Sequence, residues 1–184
     1  LDFFLESIVP SELKQHAGVD EIRVLSPSYV EDERLGDMEN LKADWGELKL
    51  TPKRVNPHSI NKLALAHKCL RGTWLLFYKP CDREKQDEEW VKVARATVGD
   101  ELGMFAKMSV ENFGENYYIC VYTKNFTNKK EVMDLERKIR HLGVKGLMAF
   151  KPSVYTVLGI FAVNDWSLKT GIYTSYWDPV QNDS

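Results

Sequence analysis

Three lysines recur among aromatic residues in the second half of this 184-residue chain, and that combination has a defined chemistry. An ammonium group pairs with phosphate, while a flat ring stacks on a nucleobase for roughly 1–3 kcal/mol per base. Cation–π attraction also lets the two kinds of side chain pack on each other. In an alternating strand, residues two apart share a face. Met104, Ala106, Met108 and Val110 form one apolar parity, and Phe105, Lys107 and Ser109 form the other. Tyr117, Ile119 and Val121 are likewise set against Tyr118, Cys120, Tyr122 and Lys124. Further on, Val154, Thr156, Leu158 and Ile160 oppose Lys151, Ser153 and Tyr155. The expectation is one sheet face presenting Lys107, Lys124 and Lys151 with Phe105, Tyr118, Tyr122 and Tyr155 to RNA, a nucleotide or another phosphorylated ligand. A solvated sheet face uses the same residue types, and a one-residue bulge would reverse the parity.

Other chemistries find less material. His16, His58, His67 and His141 show no HxxxH or HExxH spacing, so no metal site is expected. There is no GxSxG, P-loop or GxGxxG segment, and no cofactor is implied. Cys69, Cys81 and Cys120 form no CxxC pair, and Cys120 lies in an apolar run where a thiol is buried and inert. They read as reduced thiols, which fits a cytoplasmic or nuclear protein. The acidic residues Asp82, Glu84, Glu88 and Glu89 read as solvated.

The elements that must position the lysines and rings are legible from Asn56 onward. Asn56-Pro57 gives an N-cap and an N1 proline, followed by Ile60, Leu63, His67 and Leu70 at helical spacing. Thr73 to Lys79 is a dense aromatic strand, and Pro80 to Asp87 a charged loop. Trp90, Val93, Ala94, Thr97 and Val98 mark a helix closed by Gly99. Strands follow at Gly103 to Val110 and Tyr117 to Lys124. Asn128 with Glu131 is a capping box opening a helix that carries Val132, Leu135, Ile139 and Leu142, and Gly143 stops it. Gly146 to Phe150, Val154 to Val163 and Ile172 to Trp177 read as further strands, with a turn at Asn164-Asp165. The pattern predicts an α+β fold: a curved antiparallel sheet, helices packed on one face and the other face free. Residues 1–55 look irregular, with a short helix before Leu13 broken by Pro10 and a solvated loop at Glu31 to Asp37. Residues 56–177 form the core of a single domain and 178–184 a tail.

Composition agrees. Apolar residues make up 43% and aromatics 11%, and a chain of this length buries roughly 70% of its unfolded surface. The formal charge of -2 argues against a globally basic nucleic-acid binder and leaves room for a local basic patch. No apolar run is long enough to span a membrane, and the acidic start is unlike a signal peptide.

Gly72-Thr73-Trp74-Leu75-Leu76, a helix bearing Trp90, and Ile119-Cys120-Val121-Tyr122-Thr123 leading into the Glu131 to Leu142 helix resemble translation initiation factor 4E in order and spacing. A more specific resemblance is to the family of the basophilic leukemia expressed protein, an uncharacterised family with a 4E-like fold. It is carried by Val93-Ala94-Arg95-Ala96-Thr97, Ala106-Lys107, Ile119-Cys120-Val121-Tyr122, Asn125-Phe126-Thr127, Lys151-Pro152, Tyr155-Thr156, Leu158-Gly159-Ile160 and Ile172-Tyr173-Thr174-Ser175. What this resemblance implies is the fold. The 4E pattern for a cap needs two tryptophans around a methylated guanine, a glutamate on its edge and basic residues on its phosphates. Trp45 with Glu47 imitates part of this, but the loop from Glu111 to Asn116 is acidic where positive charge is wanted. Trp74 and Trp90 read as core. Arg95 either ion-pairs locally or reaches the ligand face. The expected function is a non-catalytic binding module. The alternatives are a protein-interaction scaffold using the helical face and a small-molecule enzyme without a recognisable motif.

Overall fold

The computed structural model describes residues 9–13, 18–29, 36–111 and 115–177. In chain order its main elements are β1 (Glu21–Leu25), α1 (Met38–Lys49), α2 (Pro57–Ala66), β2 (Gly72–Tyr78), α3 (Arg83–Val98) and β3 (Phe105–Ser109). They continue with β4 (Tyr117–Thr123), α4 (Lys129–His141), β5 (Met148–Pro152), the short α5 (Ser153–Val157) and β6 (Tyr173–Ser175). The strands form one six-stranded sheet in the order β1-β3-β4-β2-β5-β6, and each neighbouring pair is antiparallel. This is the α+β arrangement the sequence predicts.

Local chemistry sets the helix ends. The Asn56 side chain accepts from the Ser59 amide while the Ser59 hydroxyl occupies the Asn56 amide, a reciprocal cap with Pro57 at the first turn. Asn128 caps α4 through the Glu131 amide, and Gly143, at φ 85°, ends it in a conformation that suits glycine. Glu131 does not return to Asn128 as a full capping box would. Its carboxylate instead accepts from the Thr123 hydroxyl and from the Lys124 and Asn125 amides, tying α4 to the end of β4.

One parity of the sheet makes the core. Trp74 and Leu76 of β2, Ala106 and Met108 of β3, Ile119 and Val121 of β4, and Met148 and Phe150 of β5 are buried in one cluster. Trp90, Val93 and Ala94 of α3 and Val132, Leu135 and Ile139 of α4 join it, as do Leu41 of α1 and Ile60 of α2. Each buried Val, Leu, Ile, Met or Phe among them contributes about 1.5–3 kcal/mol. The alternation read in β3 and β4 therefore holds, which leaves Phe105, Lys107, Tyr118, Tyr122 and Lys151 on the opposite parity.

Four readings of the sequence need correction. The stretch before residue 55 contains β1 and α1, so it is not irregular where it is described; α1 begins at an Asp37 cap on the Asn40 amide. The helix of Leu1 to Leu13 lies mostly outside the described residues, with a 3-10 turn at Pro10–Glu12, and most of the Glu31 to Asp37 loop lies outside them too. The charged segment after Pro80 is a loop only as far as Asp82, because α3 starts at Arg83 and buries the polar Gln86. Val154 to Val163 is not a strand. Beyond Pro152 the chain coils into α5, and the β-branched run packs Val154 and Tyr155 into the core from a helix. No hairpin forms at Asn164. Its side chain instead accepts from the Trp166 and Leu168 amides and donates to the Phe161 and Leu168 carbonyls, bracing an irregular loop.

Candidate ligand-binding site

The site is built on one cross-strand row. Leu25 pairs with Phe105, Phe105 with Tyr122, Tyr122 with Thr73 and Thr73 with Lys151. Directly opposed side chains on one face touch, and the Phe105 and Tyr122 rings stack with centroids 4.0 Å apart at 16°. Arg23, on the same face of β1 as Leu25, holds its guanidinium 4.3 Å from the Phe105 centroid. Tyr29 meets the Phe105 ring edge-on at 5.5 Å. Arg71, one step before β2 and of the same parity as Thr73, lies 5.9 Å from the Phe105 centroid and donates to the Tyr29 hydroxyl at 3.3 Å.

Next to this stack is a cavity of about 260 Å³, walled by Phe105, Tyr122, Thr73 and Met38, with Arg71 and Lys151 at its polar edge. No carboxylate lies among its described lining residues. Gly103 helps to form this end of the sheet. A Cβ there would fall 2.3 Å from the Tyr122 carbonyl oxygen, so only glycine lets the chain entering β3 approach β4 so closely. Burial disfavours the charge on Lys151 and pulls its pKa below the ordinary lysine value. Its ammonium lies 5.1 Å from the centroid of the exposed Phe161 ring. Burial pushes the Tyr122 hydroxyl upward, so this ring stays neutral. The site therefore offers one partly exposed aromatic ring, Tyr122, backed by the buried Phe105, with hydroxyls at Ser153 and Thr156 and the cations Arg71 and Lys151.

The residues named from the sequence separate into three groups. Phe105, Tyr122 and Lys151 converge on the cavity. Lys107 and Tyr118 share its face but lie farther along the strands. Lys107 pairs with Glu21 at 3.0 Å, and Tyr118 meets Phe77 edge-on at 5.4 Å. Lys124, Tyr155, Arg95 and Trp45 are elsewhere. Lys124 sits past the end of β4 and lines a second cleft. Tyr155 is 1% exposed, because α5 turns its ring into the core. Arg95 is exposed on α3, whose neighbouring Val93, Ala94 and Ala96 face the core side of the sheet. Trp45 is 4% exposed, with its ring against Trp166 at 4.9 Å, so it is packing and not a stacking platform.

Arg23, Arg71 and Tyr29 were missed. Two of them left a signal: Ile22 and Val24 bracket Arg23 in a short alternating run, and the parity of Trp74 and Leu76 puts Arg71 with Thr73. Tyr29 had none, since it follows a turn. Cys120 is buried, as its apolar strand predicts, and burial pushes its thiol up to about 12, whereas Cys81 is exposed. Among the described residues no group of three or more His, Cys, Asp or Glu is placed to hold a metal ion, and no helix is long and apolar enough to cross a membrane.

A family model for the basophilic leukemia-expressed protein Bles03 matches residues 37–159. The chain belongs to this family. The match runs from the cap of α1 through α5 and takes in Arg71, Phe105, Tyr122 and Lys151, while β1 with Arg23 lies outside it. Among solved structures, the chain is similar to eIF4E-3 of Ascaris suum in complex with an m7G cap. The identity is 14%, over 46% of this chain and 52% of that one, with a TM-score of 0.41. The complex of the same protein with an m2,2,7G cap gives the same values. The complex of C. elegans eIF4E-3 with the 4E-binding protein Mextli matches at 13% identity over 48% of this chain and 56% of that one, with a TM-score of 0.42. The chain thus spans about half the length of the structures it matches.

Proposed function

We propose that this protein is a non-catalytic binding module for a nucleotide, an RNA or another phosphorylated ligand, held in the cavity beside the Phe105–Tyr122 stack. The observation that carries the reading is that Arg71 and Lys151 flank that stack on one cavity without a carboxylate among the described lining residues. A phosphate between the two cations gains charge-assisted hydrogen bonds, and a ring beside it packs on the accessible part of Tyr122, since Phe105 behind it is 6% exposed. Leaving two cations half-buried without an acidic partner among the described residues costs desolvation, and an anionic ligand would remove that cost. A volume of about 260 Å³ is small beside the roughly 300–1,000 Å³ of drug-sized sites, which favours a ligand no larger than one nucleotide.

The cap geometry of the 4E pattern is not what supports this reading. Trp45 is buried, and the other fully buried tryptophans, Trp74 and Trp90, are core residues. The alternative, a protein-interaction scaffold on the helices, has a narrower basis: Leu65 of α2 and Leu50 at the end of α1 are large exposed apolar residues. The deciding experiment is a thermal-shift screen of nucleotides, cap analogues and short RNAs, followed by calorimetry on Arg71→Gln and Lys151→Gln. Stabilisation by a phosphorylated ligand that both variants lose supports the cavity. Binding unchanged in both sinks it.

A further inference from the structure

The two cavities sort their side chains differently. The larger, about 440 Å³, mixes the carboxylates of Asp100, Glu131 and Asp134 with the ammonium groups of Lys124, Lys130 and Lys138, so it favours neither sign of charge. The smaller one separates charge from hydrocarbon. Thr73 pairs with Lys151, and the Ser153 amide donates to the Arg71 carbonyl at 2.8 Å, which keeps Arg71, Lys151 and Ser153 together on two paired strand ends. The rest of the lining is largely apolar. Met38 of α1, Leu70 and Val157 of α5 pack against the core, and each stays partly exposed while lining the cavity.

The side chains that would read a nucleobase are not among them. A base edge is recognised through its donors and acceptors, for which Asn, Gln, Asp and Glu are the usual partners beside Arg and Lys. The described lining holds no carboxamide and no carboxylate. The Thr73 hydroxyl is committed to the Trp74 carbonyl, which leaves the hydroxyls of Ser153 and Thr156. A base laid over Met38, Leu70 and Val157 would lose water from its ring nitrogens and exocyclic groups without a side-chain partner, and that is unfavourable. A hydrocarbon body loses no hydrogen bond there and covers the apolar surface.

We infer that the ligand is a phosphate monoester of a short alkyl chain, straight or branched, with its phosphate at Arg71 and Lys151 and its hydrocarbon body against Met38, Leu70 and Val157. This rests on the cavity reading above and narrows it. Charge complementarity sets the orientation: two cations with no carboxylate among the described lining residues take the acid end, and the apolar lining takes the tail.

The test is calorimetry on the whole chain with methyl, butyl and hexyl phosphate, set beside adenosine monophosphate and hexanoate. Affinity should rise by up to about fourfold per methylene while the chain is being buried, and level off once it outgrows the cavity. The heat capacity change of binding should grow more negative along the same series. The best alkyl phosphate should bind more tightly than adenosine monophosphate. Arg71→Gln should weaken every ester by a similar factor, about tenfold, and keep the dependence on chain length. Val157→Thr, which adds a hydroxyl at nearly constant shape, should weaken hexyl phosphate about threefold and leave methyl phosphate unchanged. An affinity indifferent to chain length, or adenosine monophosphate bound more tightly than every alkyl ester, overturns the inference. So does an unchanged hexyl phosphate affinity in a Val157→Thr protein that melts like the wild type; if that variant does not fold, the wild-type series decides. In each of these cases the cavity reading stands if Arg71→Gln still weakens the tightest phosphate ester. No phosphate ester bound, or binding indifferent to Arg71→Gln, overturns both. Hexanoate bound as tightly as hexyl phosphate overturns the phosphate assignment.

Discussion

Two ends of the same sheet place an arginine over an aromatic ring, and they use it in opposite ways. Arg83 lies 3.9 Å from the Tyr117 centroid, with its guanidinium donating to Gln86 Oε1 at 2.5 Å, to the Ser11 carbonyl at 3.0 Å and to the Val110 carbonyl at 3.3 Å. Gln86, itself buried, passes the network on to the Ser109 and Tyr118 carbonyls. At the other end Arg71 approaches Tyr29 and Phe105 at nearly 6 Å, with one hydrogen bond to the Tyr29 hydroxyl. A guanidinium has five donors in a fixed fork. Arg83 has turned its donors inward to hold the N-terminal segment against α3 and the sheet, whereas Arg71 makes one side-chain hydrogen bond among the described residues. The type and parity of a cation on a sheet do not reveal its role; the account of its donors does.

Arg140 extends the inward-turned class and should show the largest effect of any single change. It is 5% exposed and donates to the Val144, Gly146 and Ser175 carbonyls, to the Ser175 hydroxyl and to Glu136. Those bonds dock β6 and the turn after α4. Arg140→Ala leaves several acceptors and the Glu136 carboxylate unanswered, so it should cost about 3 kcal/mol, read as a lower urea midpoint with unchanged ligand affinity in what remains folded. Arg83→Ala should cost less, about 2 kcal/mol, because its network is only partly buried, and it should loosen the contact of Ser11 with Asp87. If either variant kept full stability but lost the ligand, the division between the two ends would collapse.

How far the sequence shows this division follows from what sets each element. The alternation in β3 and β4 is a local property and fixes Phe105, Tyr122 and the core parity without reference to the rest of the chain. The capping residues Asn56 and Asn128 are local too. Tyr155 was misplaced because Val154, Tyr155, Thr156 and Val157 have strand propensity, and tertiary context overrides propensity: Pro152 ends β5, Ser153 bonds back to Arg71, and the core takes Tyr155 from a helical turn. Trp45 was misplaced for a related reason, since its burial depends on Trp166, more than a hundred residues downstream. Arg23 and Arg71 sit on short or terminal strand positions where alternation is brief. Their meeting at Phe105 depends on the non-sequential strand order, which no local pattern encodes.

Arg71→Ala should behave as the converse of Arg140→Ala. With one side-chain hydrogen bond to lose among the described residues, stability should change by less than about 1 kcal/mol. Losing a charge-assisted phosphate contact of roughly 1.5–3 kcal/mol should weaken the affinity for adenosine monophosphate about tenfold or more. Calorimetry on the variant, set beside its melting curve, reads both quantities. Arg71→Lys should recover only part of the affinity, because the ammonium restores the charge without the planar fork. A full recovery would mean that Arg71 acts as a point charge and that its position over Phe105 and Tyr29 is incidental.

The smallest expected effect is the dependence on pH, and it turns on Lys151. Burial disfavours the charged amine, so the folded, ligand-free protein gives up this proton below the ordinary lysine value of about 10.4. Between the lowered value and that reference the unfolded chain holds more protons than the folded one, so this group's contribution to stability rises with pH across that window. An anionic ligand reverses the preference by favouring the ammonium. Affinity should therefore fall as the pH rises through the lowered Lys151 value, on the alkaline side of the ligand phosphate's own titration at about 6. Lys151→Arg removes the titration, because a guanidinium stays protonated throughout. The decline should then flatten in that variant and persist in Lys107→Arg, whose parent lysine already pairs with Glu21. A decline identical in all three proteins would place the titrating group outside the cavity.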